Sequence, residues 1–190
     1  MTQIPFSCSC GKVKGKLANA TPRGGNHALC FCASCRAGAL YCGADDPITD
    51  GVELFQTTAD QITIETGRDL LVPFSFGSKN LLRWKADCCG VQICSSPRNP
   101  GIPFVGIVTD RLENLDTIGP VVSRGFVPQA DGKTKNEKLG GLLRVLAFAL
   151  GKRFTGAWRK TPFFDPDTKQ PIAPVVLISR EEKKALLNNA

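Results

Sequence analysis

Nine cysteines in 190 residues constrain this chain more than any other feature, because most of them fall into short knots. Cys8-Ser9-Cys10-Gly11 opens the chain. Cys30-Phe31-Cys32-Ala33-Ser34-Cys35 follows, then Cys88-Cys89-Gly90 with Cys94 close behind; Cys42 stands alone. An odd count fits complete disulfide pairing poorly. The N-terminus shows no basic segment followed by an apolar stretch, so a secretory signal is not expected and the expected address is cytoplasmic. Disulfides seldom persist there, and metal ligation explains the knots better. His27 is the only histidine, so thiolates must dominate any site. Thiolates select zinc, copper(I) or iron–sulfur clusters, and tetrahedral sulfur sites are the habit of zinc.

The C-x-C-x-x-C run at Cys30, Cys32 and Cys35 can converge on one ion if the chain makes a tight knuckle. Three protein ligands leave a fourth position for water or substrate, as in catalytic zinc sites. Cys42, seven residues on, could fill that position but reads better as a buried thiol. Cys8 and Cys10 need partners, and the cysteines left to supply them are Cys88, Cys89 and Cys94. Two hairpins bringing distant pairs together would make a closed structural site, coupling metal binding to folding. Cys94 reads preferentially as a core thiol on a strand.

The rest of the sequence gives these knots a β framework. Short apolar or alternating segments lie between turn signals at Gly11–Leu17, Val52–Gln56, Gln61–Thr66, Leu70–Phe76, Asn80–Lys85 and Phe104–Val108. That pattern predicts a mainly β domain over residues 1–130. Residues 131–190 read as a C-terminal helical extension packed on it. Asp131–Lys138 is polar and reads as a linker or exposed helix start. Leu139–Arg153 then has helical spacing, with Leu142, Leu143, Leu146, Ala149 and Leu150 able to share one face. Ser179 and Glu182 stand as a capping box before a second, short helix.

The ordered motifs C-x-C-G, C-x-C-x-x-C and a late Cys-Gly resemble the glutathione-dependent formaldehyde-activating enzyme (GFA) family, which includes the centromere protein V type. The likeness covers about residues 6–110. QITIETG, Arg83-Trp84 and Ile102-Pro-Phe-Val support it. GKRFTGAWRKTPFFD resembles an extension in a bacterial branch of these proteins. The resemblance implies several small meandering antiparallel sheets pinned by two zinc ions, one structural and one open. By position it makes Cys30, Cys32 and Cys35 the open-site ligands, and Cys8, Cys10 and Cys89 structural ligands. The family pattern C-x-x-C-G would put a cysteine where this chain has Ala86. Cys88 is therefore taken as the fourth structural ligand, with Cys94 as the substitute.

For activity, the resemblance implies a carbon–sulfur lyase acting on a glutathione or other thiol–aldehyde adduct at the open site. Residues near the cluster that could move a proton are His27 (in a loop, or at the mouth of the site), Tyr41, Asp45 and Asp46. Arg36 could steer an anionic substrate. The competing reading is a zinc module without catalysis. Arg144, Lys152, Arg153, Arg159 and Lys160, interleaved with Phe154 and Trp158, could contact nucleic acid, protein or an anionic surface. A net charge of +7 permits either, and no apolar run reaches the length of a membrane span. An amphipathic helix docked on the core with its cations in water is the simpler expectation for that segment.

Overall fold

The computed structural model describes residues 2–189. The protein is mainly β, with 33% strand against 26% helix. Three strands, β1 (Gln3–Ser7), β2 (Lys14–Ala18) and β5 (Ile62–Thr66), form a small antiparallel sheet in the order β1-β2-β5. Its close packing depends on Gly15. A Cβ there would come within 2.2 Å of the Thr63 carbonyl and 2.5 Å of the Phe6 ring.

A nine-stranded sheet carries the rest. Its members are β3 (Asn26–Cys30), β4 (Val52–Thr58), β6 (Leu71–Ser75), β7 (Leu82–Ala86), β8 (Gln92–Ser96), β9 (Phe104–Val108), β10 (Ser123–Pro128), β11 (Thr134–Glu137) and β12 (Val176–Leu177). The order is β11-β10-β3-β4-β9-β8-β7-β6-β12, and pairing is antiparallel except for β10 with β3 and β12 with β6. The helices are α1 (Ala33–Tyr41), α2 (Gly140–Phe154) and α3 (Arg180–Asn188). The main core is a cluster built around Phe6, Leu17, Phe55, Trp84, Ile93 and Ile107, and a smaller one gathers Ala37, Phe74, Phe76 and Ile178.

Five of the six expected strands appear within two residues of their expected limits; the sixth, expected from Gly11, begins at Lys14 because Gly11 turns the chain at φ 73°. Residues 131–138 are neither linker nor helix start. Asp131-Gly132 makes a hairpin turn, with Gly132 at φ 76° and the Gln129 amide on the Lys133 carbonyl, and β11 pairs back on β10. Residues beyond 130 thus supply strands at both edges of the large sheet. They also place Phe163 and Phe164 in the core, 5.0 and 5.7 Å from the Trp84 ring.

Helix α2 seats only part of the expected face, Ala149, and turns most of its leucines outward. Val145 and Ala149 are buried, and a Cβ on Gly141 would lie 2.0 Å from Asn26 Oδ1. Leu143, Leu146 and Leu150 point away into solvent. The helix is apolar nearly all round, so periodicity alone could not choose a face. The sheet selects the row of small residues, which lets the backbone come close. Helix α3 carries the expected capping box: Ser179 Oγ accepts from the Glu182 amide at 3.1 Å, and the Ser179 amide donates to Glu182 Oε2 at 2.8 Å.

Candidate metal centres

The first centre joins two turns that lie about 80 residues apart. Between β1 and β2 the Cys8 amide bonds the Val13 carbonyl and the Gly11 amide bonds the Cys8 carbonyl. Between β7 and β8 the amides of Cys89 and Gly90 both bond the Ala86 carbonyl, with Gly90 at φ 78°. This tight turn lets adjacent cysteines face one point. The Sγ atoms of Cys8, Cys10, Cys88 and Cys89 all lie within 4.8 Å of one another. Cys8–Cys10 is 3.5 Å, Cys8–Cys88 3.8 Å and Cys10–Cys88 3.3 Å. Sulfurs about 2.3 Å from a tetrahedral ion stand roughly 3.8 Å apart, so the spacing fits one zinc-sized ion. Ala86, where the resemblance expected a cysteine, is buried at the end of β7. Cys94 is fully buried in β8 opposite Trp84, outside the cluster.

Burial opposes the Cys8 thiolate, but bonds from the Val13 amide and from the Cys10 and Cys89 thiols outweigh it and bring its pKa to about 6. Desolvation, then hydrogen bonds with Cys10 and Cys8, pushes Cys88 up to about 12. Without metal the cluster therefore shares protons between sulfurs, and an ion would replace them.

The second centre sits where β3 switches to α1. Cys30 ends the strand, and Cys32 caps the helix, its Sγ accepting from the Cys35 amide at 3.3 Å. Cys35 lies in the first turn. The three Sγ atoms again fall within 4.8 Å of one another, and each residue is half-buried. Hydrogen bonds from Cys30 and Cys35, with the Cys35 and Ser34 amides, hold the Cys32 thiol far below its usual range. The same bonds to Cys32 push Cys30 up to about 11, and those with Cys30 and Cys32 raise Cys35 well above the ordinary value. Cys42 lies at the other end of α1, packed beside Tyr41 and Phe74, and burial pushes its thiol up to about 11.

The other residues singled out from the sequence are occupied elsewhere. His27 is not in an exposed loop: it lies on β3 and is 6% exposed. Its Nδ1 meets the Gly119 carbonyl at 2.6 Å and its Nε2 meets Glu53 Oε1 at 2.6 Å. Arg36 grips Asp46 through Nε–Oδ1 at 2.6 Å and Nη2–Oδ2 at 2.5 Å, and donates to the Leu187 carbonyl. That pair holds the loop after α1 and the end of α3, and it holds the Asp46 carboxyl below the usual range. Tyr41 stacks on Phe74 at 4.6 Å. Asp45 is exposed.

Two cations that sequence reasoning did not single out as site residues brace the second centre. Arg83, on β7 and 2% exposed, donates from Nη2 to the Ser34 carbonyl at 2.9 Å, between Cys32 and Cys35. Lys183 of α3 donates to Ser34 Oγ at 3.3 Å. Both sit over the Phe76 ring, at 5.1 and 5.3 Å. The usable signal was an arginine inside the apolar strand LLRWK. Lys183 gave none, since only the docking of α3 brings it near.

A cleft of about 640 Å³ lies between the two knuckles, but none of the seven candidate ligands lines it. Its wall includes Ser9, Leu29, Asp45, Asp50, Glu53 and Asp110. Carboxylates predominate, so the cleft disfavours an anionic ligand. The sulfur geometry, not the size of this cleft, identifies the centres.

Over residues 1–173 the chain matches a family described as "Family of unknown function (DUF6151)", and it belongs to that family. No curated protein matches it. Among solved structures it is similar to the crystal structure of a Rhodobacter sphaeroides protein at 21% identity, with a TM-score of 0.43, over 62% of this chain and 96% of that one.

Proposed function

We propose that this DUF6151 member is a two-zinc protein in which Cys8, Cys10, Cys88 and Cys89 hold a closed structural ion. In this reading Cys30, Cys32 and Cys35 hold an open one that binds a thiol or thiol adduct. The observation carrying it is the contrast between a four-sulfur set and a three-sulfur set with no fourth cysteine, histidine or carboxylate beside it among the described residues. The donor chemistry fits zinc in both places. An ion at the open site would supply a Lewis-acid position for a substrate sulfur or oxygen.

The chain's own residues tune that position. The strand-to-helix switch aims three sulfurs at one point, and Arg83 and Lys183 fix the Ser34 segment between two of them. Three thiolates around a divalent ion leave net negative charge, which these two cations and the α1 N-terminus offset. A thiolate or carboxylate ligand would then approach the half-exposed side of the knuckle rather than the acidic cleft.

Within this proposal, the GFA resemblance points to reversible addition of a thiol to an aldehyde. The sulfur bonds to the carbonyl carbon and the thiol proton ends on the carbonyl oxygen. Glutathione is the thiol that the resemblance suggests. His27, Arg36 and Tyr41 are engaged elsewhere, so the proton would be carried by solvent or by the thiol itself.

Metal content of the wild type, Cys32→Ser and Cys10→Ser tests the division. Two zinc ions per chain are expected in the wild type and one in a folded Cys32→Ser, with Cys10→Ser compromising the fold. One ion in the wild type, or global unfolding of Cys32→Ser, refutes it. Cobalt-substituted protein then tests the open position. Glutathione should alter the visible absorption bands of wild type and leave those of Cys32→Ser unchanged. Unaltered wild-type bands would remove the thiol-binding reading. Formation of S-hydroxymethylglutathione from formaldehyde tests the lyase reading, and bands that respond without turnover would leave a binding module.

A further inference from the structure

The outward side of α2 is apolar where a surface helix should be polar. Leu139, Leu143, Leu146, Leu150 and Phe154 recur at spacings of four, three, four and four residues, which puts them on one stripe. All five are exposed, Leu143 by 62%, Leu150 by 56% and Phe154 by 81%. Gly141, Val145 and Ala149 lie on the opposite side against the sheet. No charged residue interrupts the stripe. A contiguous exposed apolar strip of this kind marks a docking surface.

What surrounds the stripe is cationic. From Lys138 to Phe164 there are six lysines and arginines and no acidic residue. Lys152 is neutralised by Asp60 at 2.7 Å, and Arg144 is turned inward onto the Pro22 and Gly25 carbonyls. Lys138, Arg159 and Lys160 remain exposed, as does Arg153 although its Nη1 donates to the Gly101 carbonyl at 3.0 Å. Lys135 of the adjoining hairpin adds to them, while Lys133 pairs with Asp131 at 3.6 Å. Arg159 stacks on Trp158 at 4.6 Å just past the helix end. Leucines and a phenylalanine on one line, cations along its borders and a tryptophan at its end are the composition of a helix that lies in a membrane interface. A second copy of the chain would bring the same cations face to face, so like charge opposes that occupant.

We propose that α2 seats this protein on a bilayer surface rich in anionic phospholipid. Leu143, Leu146, Leu150 and Phe154 enter the acyl boundary, while Lys138, Arg153, Arg159 and Lys160 meet the headgroups. Neither metal centre takes part, so this inference stands apart from the zinc reading.

Sedimentation of the full chain with vesicles tests it. The protein should pellet with phosphatidylglycerol–phosphatidylcholine vesicles at least about tenfold more than with pure phosphatidylcholine, and less as salt rises. Leu146→Glu with Leu150→Glu should abolish pelleting, as should Arg159→Glu with Lys160→Glu. The altered side chains are exposed, and circular dichroism checks that the fold survives; Phe154→Ser offers a milder change to the same stripe. Failure to pellet at low salt overturns the proposal. So does pelleting that survives the Leu146/Leu150 change, which would leave charge alone responsible. Light scattering that finds a dimer, made monomeric by that change, in a protein that ignores vesicles would assign the stripe to self-association instead.

Discussion

Replacing Phe163 by alanine should show that the chain after residue 130 is part of the folding unit that builds the first metal centre. Phe163 is fully buried. Its ring lies 5.0 Å from that of Trp84, which also touches Phe164 edge-on. Trp84 is itself fully buried on β7, the strand that leads into the Cys88-Cys89 turn. Removing a buried phenyl ring costs about 3–5 kcal/mol through lost transfer energy and the residual cavity. An aromatic pair contributes about 0.5–1.5 kcal/mol beyond its area. Trp84 is pinned in the sheet, with its Nε1 donating to Ser96 Oγ at 2.9 Å, so it cannot swing in to fill the void. Phe163→Ala should therefore lie near the top of the range, about 4–5 kcal/mol. Urea unfolding in a Trp158→Phe background, where Trp84 is the sole tryptophan, measures it directly. A truncated chain ending at residue 130 should fail to fold cooperatively. A loss under about 1 kcal/mol, or a two-state transition in the truncated chain, would refute the reasoning.

The glycines of α2 should respond in opposite directions. Gly141→Ala should destabilise by roughly 1–3 kcal/mol despite better helix propensity, because Asn26 is held by Ser123 and Gln56 and cannot yield. Gly151→Ala meets nothing within 4 Å and should stabilise by about 0.5–1 kcal/mol; thermal melts of both variants check the sign. Arg36 depresses the Asp46 pKa, so that pair contributes stability above the unfolded carboxylate value of about 3.9, and the contribution is lost as pH falls through the lower folded value. Asp46→Asn should consequently flatten the acid limb of a stability–pH curve below about pH 4. Zinc uptake by the open site should release protons at neutral pH, chiefly from Cys30 and Cys35, whose thiols are held above their ordinary range. Affinity should then fall as pH falls. Calorimetry in buffers of different ionisation enthalpy, comparing wild type with Cys32→Ser, measures the difference.

The short-range features were legible in the sequence because their causes are local. Cys30, Cys32 and Cys35 meet because one strand-to-helix switch spans them, and Cys8 and Cys10 because one glycine turn does. The β character, the capping box at Ser179 and the existence of α2 follow from spacing and turn chemistry in the same way. Partners across the chain were not legible. That Cys88 rather than Cys94 faces Cys8 and Cys10 depends on a turn whose amides converge on Ala86, while the pleat of β8 sends Cys94 into the core. His27 looked like a loop residue because its glycine-rich neighbours mask a buried strand. Arg83 and Lys183 reach Ser34 only after β7 and α3 pack around α1. The face of α2 turned on close approach: leucines lay on one side and small residues on another, and the sheet accepted the small ones. The sequence by itself determined the two sulfur knots and a β framework to hold them. The tertiary structure decided which distant side chains complete and brace them, and which apolar face was left for something else to cover.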